Sequence, residues 1–501
     1  MYGAYRVTNF NGELRLTDVS ISGENTITGV LYEPIESRNG APCILLAHGI
    51  TNSKEPLSGI ALELAKHGYI ALSIDLVGHG RSTGSLNGND QSLGVVQSAE
   101  YLLEYSNNTH VGLVGHSLGA GAVYYAASHG VSENGIVLIG GGIGSNTYQN
   151  SSGGLCLNPW NPLVIIGRYD VLFTPDEINE SLMITFPNSD IKLNTLKGDP
   201  QDGSMRMLLI PYTSHLLEPI DPVVVDATVD WFNAINEVEA EHTQSYLYRE
   251  ALILVGLLFF IAALVFTLSL GSQTSIVSVF DWRNGLVYGL IGFVTFVPAM
   301  LVGNFVPFPP QIIGASIAWW LLVWGVVTLF LSVFWKKLDK PRVNLNEIGY
   351  ALMIFMLAYG LCSGLDMVFG FGFRMLVPVM RSLTGRRFLA FFAYLPFMLV
   401  HYYSEATWFR ERASNLVCLA VSKLGLFAGL LFIQYGGFFL LDTVIVSGFI
   451  GFILEFLMAI VPLLLISVFI TWWSAKNGRL GLSILLNALL LSWIAAGLFP
   501  Y

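Results

Sequence analysis

Charge is scarce in this sequence. Only 12% of its 501 residues are Asp, Glu, Lys or Arg, against 53% apolar residues, a balance too greasy for an ordinary soluble enzyme. Basic residues are rarest in the first half, where residues 1–250 hold 11 Lys and Arg against 27 Asp and Glu. Phosphate binding needs a basic face, so the composition argues against nucleic acid as a partner. Cysteine is equally sparse. Cys43, Cys156, Cys362 and Cys418 have neither paired nor metal-ligand spacing. They are read as four isolated thiols, with no disulfide framework and no metal site expected. The N-terminal run Met1-Tyr2-Gly3-Ala4-Tyr5-Arg6 lacks the apolar core of a signal peptide.

Long apolar runs are plentiful, and nearly all lie in the second half. Residues 251–501 hold 14 Lys and Arg against 8 Asp and Glu. The expected organisation is an acidic globular domain over 1–236, an acidic linker over 237–250 and a membrane domain over 251–501. Spans are expected near 251–270, 285–303, 312–335, 348–364, 388–403, 416–440, 444–473 and 481–499. Each is long enough for a hydrocarbon core of roughly 30 Å at about 1.5 Å per residue. The lipid bilayer is thus an expected partner of an integral, multi-pass protein.

With eight spans, the loops opposite the globular domain carry nine basic residues, and those on its own side carry four, Arg374, Arg381, Arg386 and Arg387. The positive-inside tendency then places the globular domain outside the cytoplasm. The missing leader pulls the other way, and a truncated start would reconcile the two.

The globular half alternates short apolar runs with amphipathic stretches. Glu13 to Ile21 and Thr26 to Tyr32 read as an antiparallel hairpin around Ser22-Gly23-Glu24-Asn25. Cys43 to Ala47, Tyr69 to Ile74, Val111 to Val114, Gly135 to Ile139, Leu163 to Ile166 and Arg206 to Ile210 are nearly continuous apolar runs. Such runs suit strands buried on both faces of a parallel sheet. Helices are expected over Pro56 to His67, Gln91 to Tyr105 and Pro222 to Ile235. The alternation gives a doubly wound, mostly parallel α/β domain, with ligands outside the carboxyl ends of the strands.

Chemistry gathers at those ends. The run Gly115-His116-Ser117-Leu118-Gly119 follows the strand at Val111. It places a serine on a strained strand-to-helix turn, where side chains at Gly115 and Gly119 would collide with neighbouring backbone. Asp170 follows the strand at Leu163, and His215 follows the last strand. A serine hydroxyl is a weak nucleophile at neutral pH. It needs a base, here His215, and a carboxylate to fix the base's tautomer and stabilise its imidazolium, here Asp170. Asp75 also ends a strand. His48, His79 and His116 sit in turn motifs and are read as structural. Glu218, Asp221 and Asp226 are read as acids at the start of the last helix, where negative charge suits the helix dipole.

Residues 12–235 resemble the α/β-hydrolase superfamily, nearest in style to small serine esterases and monoglyceride-lipase-like members. The resemblance rests on His48-Gly49, on Gly78-His79-Gly80-Arg81-Ser82-Thr83-Gly84, on the Ser117 pentapeptide, and on Asp170 with His215, in that order. It implies that the acid follows a later strand, which favours Asp170 over Asp75. It also implies an oxyanion hole formed by the backbone N–H groups of Ile50 and Leu118, and no cofactor or metal. Ser117 and Asp170 are only 53 positions apart, which leaves no room for the helical lid of many lipase-like relatives. The site is expected to be open, or covered by the membrane domain or the segment from Thr174 to Gly203. An open site suits short acyl chains or substrates presented at a surface, and does not choose between ester, thioester and amide; the expected substrate is a small-molecule or lipid acyl compound.

The expected function is a membrane-anchored serine hydrolase acting on an acyl ester through an acyl-enzyme. The alternatives are a transport or sensing protein with a ligand-binding hydrolase-like domain, and an acyltransferase using the same residues. Within the membrane half, Glu455 is expected to find a hydrogen bond inside the bundle. His401 and Glu405, four apart on one helical face, are expected at an interface among Tyr402, Tyr403 and Trp408. Oligomeric state is left open.

Overall fold

The computed structural model describes residues 13–36, 40–86, 88–129, 131, 133–142, 160–185, 193–239, 282–335, 338–369, 383, 385–410, 415–441 and 466–501. The chain divides into two compact units, one holding Met1–Ile253 and the other Leu254–Ile445 with Ile453–Phe499.

The first unit is built on an eight-stranded sheet. Its strands are β1 (Leu14–Ile21), β2 (Ile27–Pro34), β3 (Cys43–Ala47), β4 (Ile70–Ile74), β5 (Val111–His116), β6 (Glu133–Ile139), β7 (Pro162–Ile165) and β8 (Met207–Leu209). Their order across the sheet is β1-β2-β4-β3-β5-β6-β7-β8. β1 and β2 pair antiparallel, as do β2 and β4, and the remaining pairs are parallel. β3 and β5, at the centre, pair from Cys43↔Val111 to Ala47↔Gly115 and are buried at every position. This is why they read as unbroken apolar runs rather than as alternating ones.

Helices cover both faces. On one side lie α2 (Val95–Ser106), α3 (Leu118–Ser128) and α4 (Pro175–Thr185), whose Leu102, Val123 and Ile178 join Leu45, Leu113 and Leu138 in one core. On the other lie α1 (Ser58–Lys66) and α5 (Pro222–Asn236), whose Leu64, Val225 and Phe232 pack with Ile44, Leu46 and Val114. The α/β-hydrolase fold expected from the resemblance is the fold observed. The order brings the carboxyl ends of β5, β7 and β8 to one edge, where their loops meet.

One boundary differs by four residues. α2 was expected from Gln91 and begins at Val95. The Asp90 carboxylate accepts hydrogen bonds from Ser92 N–H (2.9 Å) and Gly94 N–H (2.6 Å), and Leu93 and Gly94 have φ of 53° and 92°. An Asx-type turn therefore takes the place of the first helical turn.

The second unit is helical. Its helices are α6 (Trp282–Val294), α7 (Phe296–Phe305), α8 (Gly314–Phe330), α9 (Leu345–Phe369), α10 (Arg386–Trp408), α11 (Leu416–Leu441) and α12 (Leu480–Leu498), and residues 466–476 are also helical. Among the described residues, four helical segments are long and apolar enough to cross a membrane: Trp282–Phe305, Gly314–Trp335, Leu345–Gly364 and Leu480–Leu498. The expected span at 251–270 and most of that at 444–473 lie outside the described residues, as does Glu455.

The last carbonyls of a helix have no intrahelical donors. At the end of α12, Arg387 Nη1 donates to the carbonyls of Ala496 (3.1 Å), Gly497 (3.0 Å) and Phe499 (3.0 Å).

Candidate active site

Ser117 sits between β5 and α3 with φ 53° and ψ −116°, a backbone region that disfavours any side chain. It is held there from both sides. Its N–H donates to the Ile139 carbonyl of β6 at 2.8 Å. A Cβ at Gly115 would lie 2.3 Å from the Gly119 carbonyl oxygen, and one at Gly119 would lie 2.1 Å from that of Ala47. The elbow is therefore pressed against β3 with no room for methyl groups. The result is a half-buried hydroxyl at the carboxyl edge of the sheet.

The structure brings the three residues singled out by their strand-end positions together. Ser117 Oγ lies 2.9 Å from His215 Nε2, and His215 Nδ1 lies 2.7 Å from Asp170 Oδ2. Asp170 and His215 are fully buried. The other Asp170 oxygen accepts from the N–H groups of Leu172 (2.7 Å) and Phe173 (3.0 Å). A neutral imidazole donates Nδ1–H to Asp170 Oδ2 and leaves Nε2 to accept from the serine hydroxyl.

Around this core, Leu118 is the first residue of α3, where helix N–H groups have no intrahelical acceptor. The Ile50 loop passes the same point. A Cβ at Gly49 would lie 3.1 Å from Ser117 Cβ and 2.9 Å from His116 Nδ1.

Asp75 is committed elsewhere. Its carboxylate accepts from Lys54 N–H (2.9 Å), Lys54 Nζ (2.8 Å), Thr28 Oγ1 (2.9 Å) and Arg81 N–H (3.0 Å), tying the loops after β3 and β4 together. His48 donates Nδ1–H to the Gly49 carbonyl (2.7 Å) and accepts from Leu76 N–H (3.1 Å). Burial pushes its pKa down to about 4. His116 donates Nε2–H to the His215 carbonyl at 2.9 Å. Burial, and then the neighbouring His215, hold it well below the usual histidine range. Both rings are neutral braces.

One expectation is corrected. Asp221 does begin a helix, its side chain accepting from Val223 N–H at 2.9 Å. Glu218 does not belong to the start of that helix but begins a short turn of its own, Glu218–Ile220, before it. It is fully buried, and its Oε1 accepts from Gly167 N–H at 2.6 Å. Its Oε2 lies 3.5 Å from His116 Nε2 and 3.8 Å from His215 Nδ1. The ligand atoms of His116, His215 and Glu218 fall within 4.8 Å of one another, but both ring nitrogens already face protein acceptors, which is poor chemistry for a metal.

The stretch 143–159, on which the absence of a lid partly turns, lies outside the described residues. Rings flank the base side of the site. Phe173 lies 5.9 Å from the His215 ring, and Tyr169 lies 6.4 Å from Tyr212.

Residues 42–184 match the family described as the alpha/beta hydrolase fold. No curated protein matches the chain. Among solved structures, an esterase of Pyrococcus furiosus is similar at 17% identity, over 44% of this chain and 92% of its own, with a TM-score of 0.34. A cold-adapted esterase from an Arctic intertidal metagenomic library shares 17% identity over 45% of this chain and 94% of its own, with a TM-score of 0.32. A thioesterase domain from the curacin biosynthetic pathway shares 16% identity over 43% and 98%, with a TM-score of 0.30.

Proposed function

We propose that the N-terminal half of this chain, an α/β-hydrolase domain, is a serine hydrolase that cleaves acyl esters of small molecules or lipids. The observation that carries the reading is the continuous path from Ser117 Oγ to His215 (2.9 Å) and from His215 to Asp170 (2.7 Å).

In this scheme Ser117 Oγ attacks the acyl carbon while His215 Nε2 takes its proton. The negative charge that develops on the carbonyl oxygen is met by the N–H groups of Ile50 and Leu118, each such donor contributing about 10²–10³ in rate. His215 returns the proton to the leaving alcohol, whose bond to the acyl carbon breaks. Water then attacks the acyl-enzyme with His215 again as base, and the acid is released with Ser117 restored. Asp170 keeps the imidazolium oriented throughout.

The apolar helices of the second half hold the enzyme in a membrane, and the distribution of basic loops favours a hydrolase domain outside the cytoplasm. Protease access to that domain in sealed right-side-out vesicles tests the sidedness. For the chemistry, the test is labelling of the full chain by a fluorophosphonate probe together with turnover of a short-chain p-nitrophenyl ester. Both are expected to vanish in Ser117→Ala while the protein stays folded. Labelling that survives this substitution overturns the reading.

A further inference from the structure

A second carboxylate stands beside the base and has no part in the scheme above. Glu218 is three residues past His215, in a short helical turn, Glu218–Ile220. Its burial is complete, and a buried carboxylate is costly unless its oxygens are held.

Glu218 Oε1 accepts from Gly167 N–H at 2.6 Å. Gly167 is where the chain leaves β7 for the turn that carries Asp170, and its carbonyl accepts from Asp170 N–H at 2.9 Å. Glu218 Oε2 lies 3.8 Å from His215 Nδ1, the nitrogen that also faces Asp170. A Cβ at Gly140 would lie 2.3 Å from Oε2 and 2.8 Å from His215 Cε1. The carboxylate therefore touches the chain after β6, the chain after β7 and the ring of the base at once.

We propose that Glu218 is a positioning residue of this site, fixing the Asp170 turn and adding a second negative charge to the imidazolium that forms during the reaction. The proposal rests on the serine-hydrolase reading. The titratable groups facing His215 are Asp170 from the turn after β7, His116 and Ser117 from the end of β5, and Glu218 itself. His116 is held neutral, so among the described residues the carboxylates facing the ring are Asp170 and Glu218. An opposite charge within about 4–6 Å raises the basicity of such a ring by about one pH unit or more.

Two substitutions separate positioning from charge. Glu218→Gln keeps an acceptor for Gly167 N–H and removes the charge. Its kcat/KM profile is expected to move its acid limb about one pH unit lower, because a less stabilised imidazolium loses its proton at lower pH. Its plateau is expected to fall about three- to tenfold. Glu218→Asp keeps the charge on a shorter arm and frees Gly167 N–H. It is expected to keep the wild-type acid limb and lose plateau rate, and it decides the matter should Glu218→Gln not fold.

The Asp170→Asn/Glu218→Gln double variant is expected at least about tenfold below Asp170→Asn alone, since in Asp170→Asn the Glu218 carboxylate still faces Nδ1. A Ser117-dependent enzyme whose acid limb is unmoved in Glu218→Gln, or is moved in Glu218→Asp, overturns this proposal alone. Labelling that survives Ser117→Ala removes the underlying reading and the proposal with it.

Discussion

The ring of His116 donates Nε2–H to the backbone carbonyl of His215 at 2.9 Å, so the residue before Ser117 braces the loop that carries His215. The brace needs a proton on Nε2, and in the neutral ring that complete burial favours this fixes the tautomer. Removing the brace in His116→Ala is expected to loosen His215 relative to Ser117. A misplacement of about 1 Å can lower kcat by about 10²-fold. We expect a loss of about ten- to a hundredfold in ester turnover with little change in KM. Turnover equal to wild type would show that the His215 loop needs no brace.

Backbone strain at Ser117 gives a second prediction. With φ 53° and ψ −116°, this position costs any residue with a side chain about 1–3 kcal/mol, a cost that glycine escapes. Both Ser117→Ala and Ser117→Gly remove the hydroxyl, so their difference reports backbone strain set against the entropy of the unfolded chain. Ser117→Gly is expected to be the more stable by about 1–2 kcal/mol after allowance for the looser unfolded chain. Hydrogen exchange of peptides from β5 and α3 under increasing urea measures it. Equal midpoints would mean that the elbow is relaxed.

Much of this was legible from residue types because the fold advertises its buried strands. Cys43 to Ala47 and Val111 to Val114 are apolar at every position since both faces of β3 and β5 are covered. Ser117 and His215 could be named because each follows such a run; Asp170 needed the family resemblance as well, since Asp75 also ends a strand. Glu218 could not. An acid three residues past a strand-end histidine and just before Pro219 looks the same whether it caps a helix or lies under the imidazole. Only the closeness of Gly140 and Gly167 in space tells the two apart. Lys423 escaped notice for a related reason. It lies within an apolar helix, and its partner is 18 residues away on the preceding one.

Buried histidines also make the hydrolase domain sensitive to acid. The pKa of His48 is pushed down to about 4 by burial, against an ordinary value of 6.5. Between those pH values the unfolded chain binds a proton at this position and the folded chain does not, so stability falls as pH drops. Above about pH 6.5 there is no effect. Between about 6.5 and 4 the loss reaches about 3 kcal/mol from this residue. Urea midpoints of the hydrolase domain across that window are expected to fall in the wild type and to fall less in His48→Gln. Parallel curves for the two proteins would remove His48 as a cause.

The membrane unit carries an ion pair where an interface residue was expected. Glu405 on α10 and Lys423 on α11 are each about 1% exposed, and Lys423 Nζ donates to Glu405 Oε2. The ammonium lies 5.0 Å from the Trp324 ring and 5.4 Å from that of Tyr288, so aromatic faces share in stabilising it. His401 Nε2 is 4.0 Å from the same carboxylate oxygen. Taking one partner away leaves a bare charge among apolar helices, which costs about 3–5 kcal/mol, whereas removing both is often nearly neutral. Glu405→Gln and Lys423→Met are each expected to lower the melting temperature of the detergent-solubilised chain sharply. The double variant is expected to recover most of that loss. Additive losses in the double variant would show that the two charges act independently and that each is stabilised by something other than its partner.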